Sequence, residues 1–224
     1  MKREPTVFIV DDDEPVVRSL TDVIELIGLK VKSYSSGSQF LKAYKPSGPA
    51  CLILDVIMPD MSGLELQKHM AAAGISLPTV IISGHSDLRT AVEAMKLGAI
   101  EFLEKPFRIQ ELCENIQKAI RLDEEKWRFR EQKNKVDSRL ENLTPAEREV
   151  MDLVVAGKTN KMIAADSDLS IRAVEDRRAR MMRKLRVKSR AELLELVMTA
   201  QFPSNAPPRL NNVSSPGETL NLIR

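Results

Sequence analysis

The sequence contains few of the residues that mark secreted, membrane-spanning or metal-binding proteins. Its two cysteines, Cys51 and Cys113, are isolated, which suits buried thiols in a reducing cytosol better than a disulfide or a metal site. Its two histidines, His69 and His85, lack a metal-ligand spacing. No apolar run reaches the length of about 18 residues that a membrane span requires, and no basic-then-apolar leader precedes the first domain. We therefore expect a cytoplasmic protein with no membrane partner.

The charge of the chain is unevenly distributed. The formal net charge is only +2. The 224 residues are enough for one large or two ordinary domains, and 43% of them are hydrophobic, which is enough to build cores. Residues 1–121 hold 14 basic and 16 acidic side chains, whereas residues 170–190 hold nine basic and two acidic ones. This local excess indicates a polyanionic partner for one segment only.

The first 121 residues alternate strand-like and helix-like patterns. Pro15 opens the first helical pattern, which Gly28 ends. Five such repeats with largely apolar strands predict a parallel sheet covered by helices on both faces. The predicted strands are 6–10, 31–34, 52–54, 79–82 and 100–103, and the later helices lie near 37–44, 63–73, 87–97 and 109–121.

Residues 122–141 are predicted to form a charged linker helix. Twelve of the 20 residues are charged, and the segment contains neither Gly nor Pro. An exposed helix between two domains explains this composition. The alternative is a coiled-coil dimer contact through Trp127 and Phe129, although the segment lacks clean heptads.

Residues 142–201 are predicted to form a small domain of four helices. Thr144 and Glu147 form a capping-box pattern around Pro145. A short second helix is expected at 160–166, and Ser170 and Ser189 are the expected caps of the last two helices. The tail, 202–224, contains four prolines and is expected to be disordered.

Polar residues follow four of the five predicted strands. Asp11 and Asp12 end the first strand and Asp55 ends the third, so these acids meet if the two strands are neighbours. Converging carboxylates favour a cation, and hard oxygen ligands suit Mg²⁺. Lys105 and Ser83, at the ends of the fifth and fourth strands, add a positive charge and a hydroxyl donor. This set predicts a phosphoryl group held on Asp55.

A simpler interpretation treats residues 11–14 as a solvated turn. Asp13 and Glu14 precede Pro15, where acids favour the positive end of a helix dipole. That interpretation explains these two acids, but it does not explain the matching residues at the other strand ends.

Residues 4–122 resemble the receiver domain of two-component response regulators. The motifs that carry the resemblance are IVDDDEP, LILDVIMPDMSG, ISGHSD and FLEKPF. The resemblance implies a flavodoxin-like (βα)5 fold and a cis peptide between Lys105 and Pro106. It also implies a phospho-acceptor (Asp55), metal ligands (Asp11, Asp12, Asp55 and the backbone carbonyl of Ile57), an invariant lysine (Lys105) and two switch residues (Ser83 and Phe102). Phosphorylation by a histidine kinase would then alter the face formed by residues 87–104 and promote homodimerisation there.

A basic helix is predicted in the second domain. Ile171, Val174, Met181 and Leu185 form an apolar stripe, and the opposite face is mainly basic. Taken alone, this pattern also fits an ordinary amphipathic surface helix. Its position after a short helix and a tight turn, however, matches a helix-turn-helix at about 159–178.

Residues 143–197 resemble the LuxR/FixJ/NarL-type DNA-binding domain. The matching motifs are LTPAEREVMDLVVAGKTNKMIA, LSIRAVE and KLRVKSRAELLELV. The resemblance implies double-stranded DNA as a partner, with contacts from Asn160, Lys161, Arg172, Glu175, Asp176, Arg177 and Arg180. Ala173 and Arg177 stand where relatives commonly have Thr and His, and Asp176 stands where they are often apolar. Target preference therefore cannot be transferred from a relative.

These features predict a transcription regulator whose DNA binding is controlled by phosphorylation of Asp55. The residues of these motifs are most similar to those of the FixJ-like subgroup. A phosphohydrolase with an aspartyl nucleophile is a second hypothesis, but such enzymes need an acid two residues after the nucleophile, where this chain has Ile57. We therefore expect no enzyme beyond the chain's own Mg²⁺-dependent phosphorylation and dephosphorylation. A DNA-binding or protein-interaction module that works without phosphorylation is the third hypothesis.

Overall fold

The computed structural model describes residues 4–84 and 87–201. The strands are β1 (Thr6–Val10), β2 (Lys30–Tyr34), β3 (Ala50–Asp55), β4 (Thr79–Ser83) and β5 (Ala99–Glu104). The helices are α1 (Glu14–Leu26), α2 (Gly37–Ala43), α3 (Gly63–Ala72), α4 (Leu88–Lys96), α5 (Ile109–Glu141), α6 (Pro145–Val155), α7 (Asn160–Asp166), α8 (Ile171–Leu185) and α9 (Arg190–Gln201). His85 and the predicted tail, 202–224, lie outside the described residues. Among the described helices, none is both long and apolar enough to cross a membrane.

The five strands form one parallel sheet in the order β2-β1-β3-β4-β5. The predicted fold class is therefore confirmed. All six residues of the central strand, β3, are buried. Its neighbours are β1 and β4, so the ends of the first, third and fourth strands lie side by side at one edge of the sheet.

Each face of the sheet carries its own hydrophobic core, because successive residues of a strand point to opposite sides. Phe8 packs with Phe40 and other residues of α2, α3 and α4 on one face. Ile9 packs with Ile24 of α1 and Ile116 of α5 on the other face. Coverage on both faces explains why β3 is apolar throughout until Asp55.

The helix expected at 109–121 and the linker expected at 122–141 form one continuous helix, α5, of 33 residues. At a rise of about 1.5 Å per residue, it is about 50 Å long. Leu112 and Ile116 pack in the core under the sheet, whereas Val136 and Leu140 pack against the core of the C-terminal helices. One helix therefore belongs to both hydrophobic clusters.

The expectation of an exposed linker is wrong at specific positions. Asp123 is only 2% exposed, and its carboxylate accepts the backbone N–H of Ala50 at 2.9 Å. Lys133 donates to the carbonyl oxygen of Ala200 at 2.8 Å. Charged side chains make these contacts, so an analysis based on apolar periodicity does not reveal them.

The C-terminal helices surround a separate core. The predicted capping box at Thr144 and Glu147 is present at the start of α6. Val174, Met181 and Leu185 of α8 are buried in this core, as the apolar stripe predicted. Ile171 is a correction to that stripe: its side chain is 48% exposed, because it lies in the first turn of α8, beyond the packed part of the helix.

Candidate functional site

The carboxyl ends of β1, β3 and β5 bring together two acids and one lysine. The Nζ of Lys105 lies 2.8 Å from Oδ1 of Asp55 and 3.1 Å from Oδ2 of Asp11. Asp11 is 2% exposed and Asp55 is 7% exposed, whereas Lys105 is partly exposed. The structure thus joins residues that are separated by 94 positions in the sequence.

Backbone amides hold the second oxygen of each carboxylate. Oδ1 of Asp11 accepts the N–H of Asp13 at 2.9 Å, and Oδ2 of Asp55 accepts the N–H of Ile57 at 2.7 Å. The Asp13 carboxylate caps α1 by accepting the N–H of Val16. The capping role proposed for Asp13 therefore coexists with a site built from its neighbours.

The electrostatics of this cluster favour an additional cation. Burial raises the pKa of Asp11, although hydrogen bonds from Asp13 and Lys105 partly oppose that shift and the charge of Asp55 adds to it. Burial also disfavours the charge on Lys105, but its hydrogen bonds to Asp55 and Asp11 outweigh this effect and raise its pKa. Two buried acids share one lysine, which leaves a deficit of positive charge.

The cluster offers oxygen ligands that suit Mg²⁺. The Asp12 side chain is exposed, and no three His, Cys, Asp or Glu side chains of the described residues are close enough to hold a metal together. Asp11 and Asp55 provide the buried carboxylates. The Ile57 side chain is 60% exposed, and the metal contact expected there would come from its backbone carbonyl. These hard oxygens and the charge deficit fit a divalent cation.

The two predicted switch residues lie on the neighbouring strands β4 and β5. Ser83 is fully buried at the end of β4, and its carbonyl oxygen accepts the N–H of Lys105 at 2.8 Å. Phe102 is half-buried and packs against the core on the α4 face of the sheet. The peptide between Lys105 and Pro106 is cis, as the resemblance implied.

Gly63 is a site residue that the sequence analysis missed. A Cβ atom on Gly63 would lie 2.3 Å from the carbonyl oxygen of Asp55, and the N–H of Gly63 donates to the carbonyl of Val56 at 2.9 Å. The start of α3 therefore contacts the backbone that carries the candidate acceptor. The glycine of the MPDMSG motif was the available signal.

The predicted helix-turn-helix consists of α7 and α8. Thr159 caps α7 and Ser170 caps α8 through their side-chain oxygens. The predicted contact residues lie mainly on an accessible surface: Lys161, Arg172, Glu175, Asp176 and Arg180 are exposed, and Asn160 and Arg177 are half-buried. Their DNA contacts stay predictions.

Arg178 is a second residue that the sequence analysis missed. Its Nη1 donates to Oδ1 of Asn160 at 2.8 Å, and this bond links α8 to the start of α7. The Asn160 side chain, a predicted DNA contact, is therefore held by a neighbouring arginine.

Both parts of the chain match known family models. Residues 7–117 match the response regulator receiver domain, and residues 141–197 match the bacterial regulatory proteins of the luxR family. The chain is 40% identical over 197 residues to the transcriptional regulatory protein FixJ of Rhizobium meliloti, covering 88% of this chain and 97% of FixJ. It is 38% identical over 194 residues to the response regulator protein TmoT of Ectopseudomonas mendocina, covering 87% of this chain and 88% of TmoT.

Solved structures share this architecture. The response regulator StyR aligns with a TM-score of 0.82 at 38% identity, covering 88% of this chain and 99% of StyR. Full-length FixJ from B. japonicum aligns with a TM-score of 0.53 at 37% identity, covering 89% of this chain and 98% of FixJ.

Proposed function

Because the chain belongs to the response regulators that join a receiver domain to a LuxR-type DNA-binding domain, we propose that phosphorylation of Asp55 by a histidine kinase controls its binding to DNA. The protein is a two-component transcriptional regulator. The observation that carries the residue assignment is the Asp11–Lys105–Asp55 cluster, which lies in the same chain as an exposed basic helix.

The cluster supports a phosphoryl transfer to Asp55. A carboxylate oxygen of Asp55 would attack phosphorus as the bond from phosphorus to the histidine nitrogen of the kinase breaks. Lys105, already within hydrogen-bond distance of Asp55, would then hold an oxygen of the transferred group. Mg²⁺ held by Asp11, Asp55 and the Ile57 carbonyl would neutralise charge on the phosphoryl oxygens. Asp12, whose side chain is exposed, is a further candidate metal contact by resemblance to the receiver family.

The α4–β5 surface, residues 87–104, is the proposed output face. New oxygens on Asp55 would draw the Ser83 hydroxyl towards them and allow Phe102 to pack more deeply. Exposed apolar side chains are available on α4: Leu88 is 81% exposed, Val92 43% and Met95 45%. Their burial between two copies would stabilise a homodimer.

Double-stranded DNA is the proposed target of α8. Lys161, Arg172 and Arg180 would contact phosphates, and Glu175, Asp176 and Arg177 would approach base edges. Binding to DNA implies a cytoplasmic location. Hydrolysis of its own aspartyl phosphate is the only turnover that we propose for the chain.

Four conditions test this function: wild type and Asp55→Asn, each with and without a small phosphodonor and Mg²⁺. We expect only wild type with the donor to gain mass, dimerise and bind DNA more tightly. The measurements are intact-protein mass, light scattering and fluorescence anisotropy with selected DNA sites. Equal DNA affinity in all four conditions would show a module that works without phosphorylation.

A further inference from the structure

A cleft lies at the opposite end of the sheet from Asp55. It is bounded by α3, the start of β4, the turn before β5 and the middle of α5. Its volume is about 460 Å³, within the range of about 300–1,000 Å³ typical of small-molecule sites. Its walls are mainly aliphatic, with Met70, Leu97, Ile100 and Leu122 among them, and none of its described lining residues is aromatic.

One nearly buried polar side chain that lines this cleft is that of Gln67. Gln67 is only 5% exposed, and its Oε1 atom is buried without a hydrogen-bond partner. Its neighbours on α3, Leu66 and Met70, are buried apolar residues. A buried acceptor without a partner is costly, and most such groups in folded proteins are paired. Gln67 lines the cleft, so a donor that reached its Oε1 atom would supply the partner that this acceptor lacks.

The mouth of the cleft carries a positive charge. The Nζ of Lys126 donates to Oγ of Ser76 at 3.0 Å, which joins α5 to the segment before β4. Burial lowers the pKa of Lys126, and the charge of Arg130 adds to this shift while that of Asp123 opposes it. Leu122, one helical turn earlier, is 40% exposed beside it. An anionic group would stabilise the lysine, and an attached apolar chain would cover the leucine.

We propose that this cleft binds a small aliphatic carboxylic acid that carries a hydrogen-bond donor at its far end. The donor would reach Oε1 of Gln67, the aliphatic body would contact Met70 and Leu122, and the carboxylate would lie at Lys126. This site goes beyond the phosphorylation-controlled DNA binding proposed above. Because one wall belongs to α5, an occupant would hold the middle of that helix against the receiver.

A length series of ω-hydroxyalkanoates with four, six and eight carbons tests the proposal on the full chain. Alkanoates of equal length lack the donor, and the corresponding diols lack the carboxylate. By isothermal titration we expect one length to bind best. Its alkanoate and its diol should each bind about 2- to 10-fold more weakly, the range for loss of one hydrogen bond.

Two variants assign that selectivity to residues. Gln67→Met should abolish the preference for the hydroxyl, and Lys126→Met should abolish the preference for the carboxylate. Lys135→Met, an exposed lysine on the same helix, is the matched control and should change neither. Gln67→Met removes the unpaired acceptor, so its melting temperature should be no lower than that of wild type.

Phosphorylation of Asp55, followed by intact mass, should be unchanged in all three variants, which separates this site from the proposed switch. The site is overturned if no member of the series binds, because an ordered water alone then accounts for Gln67. Binding that does not depend on Gln67 or Lys126 overturns it equally.

Discussion

The carboxylate of Asp123 accepts the backbone N–H of Ala50 at 2.9 Å, across 73 positions of sequence. Ala50 begins β3, the strand that ends at Asp55. Around the same carboxylate lie Arg130, at 3.8 Å, and Trp127, whose ring is 5.6 Å from the guanidinium of Arg130. The middle of α5 is thus attached to the strand that carries the candidate phospho-acceptor.

Removing the Asp123 acceptor should destabilise the receiver. Asp123→Ala leaves the buried N–H of Ala50 unpaired, which should lower the free energy of unfolding by about 1–3 kcal/mol. Asp123→Asn retains an acceptor oxygen and should cost less. Urea unfolding monitored by circular dichroism measures both variants, and equal losses would show that the hydrogen bond is not the cause.

The stability of wild type and that of Asp123→Asn should depend differently on pH. Burial raises the pKa of Asp123 above its usual value of 3.8, so the folded state binds more protons than the unfolded state between those two pKa values. Wild type should therefore lose stability relative to Asp123→Asn as the pH rises through the raised pKa. Urea unfolding from pH 4 to 7 measures this difference; a constant difference would refute the shift.

Gly63→Ala should disrupt the candidate acceptor site. Its methyl group would lie 2.3 Å from the carbonyl oxygen of Asp55, so the β3 end or the start of α3 must move. We expect the free energy of unfolding to fall by about 1–3 kcal/mol, as at other overpacked sites. Phosphorylation by a small donor should also be slower. Gly37→Ala is the matched control: it also begins a helix, but its methyl would meet the flexible Met61 side chain at 3.2 Å. Equal behaviour of the two variants would contradict the close-contact argument.

Arg178 and Asn160 should act as one unit in DNA binding. Arg178→Met frees the Asn160 side chain, and Asn160→Ala removes the group that Arg178 holds. Each variant should weaken binding, and the double variant should be less affected than the sum by about 0.5–3 kcal/mol. Fluorescence anisotropy across the four-protein cycle measures this coupling. Additive losses would mean that the two residues contact DNA independently.

Salt dependence separates phosphate contacts from base contacts. If Arg180 contacts a phosphate, Arg180→Ala should reduce the slope of log K against log salt by about 1 and weaken different DNA sequences by similar factors. Asp176→Ala should instead change the preference among sequences, because a carboxylate can accept a hydrogen bond from cytosine. Anisotropy titrations at several salt concentrations on two DNA sequences distinguish the two patterns.

The parallel sheet and the position of Asp55 could be predicted because local patterns specify them. An apolar run that ends in an acid and a proline turn places that acid at the carboxyl end of a buried strand. The capping box of α6 follows from spacing in the same way. At these places, local sequence and tertiary structure favour the same arrangement.

Other features depend on contacts between distant segments. Asp123 lies among many charged residues, so no pattern distinguishes the one acid that pairs with Ala50. Arg178 is one of several arginines on α8, and the sequence does not distinguish it from its exposed neighbours, although it donates a hydrogen bond to Asn160 of α7. Ile171 fits the spacing of the buried stripe but lies beyond the core that this stripe covers. Whether each of these side chains is buried or bonded depends on how far the packed surface extends, and the local sequence does not specify that.

Because α5 is unbroken, the number of residues between two of its contacts sets the angle between them about the helix axis. Each residue of an α-helix turns the chain by about 100°. One residue inserted between Asp123, which holds β3, and Lys133, which holds the end of α9, would rotate α8 by more than a quarter of a revolution about the α5 axis. Insertion of seven residues would restore its heading to within about 20°. The spacing of these two anchors therefore fixes the direction in which α8 faces relative to the receiver sheet.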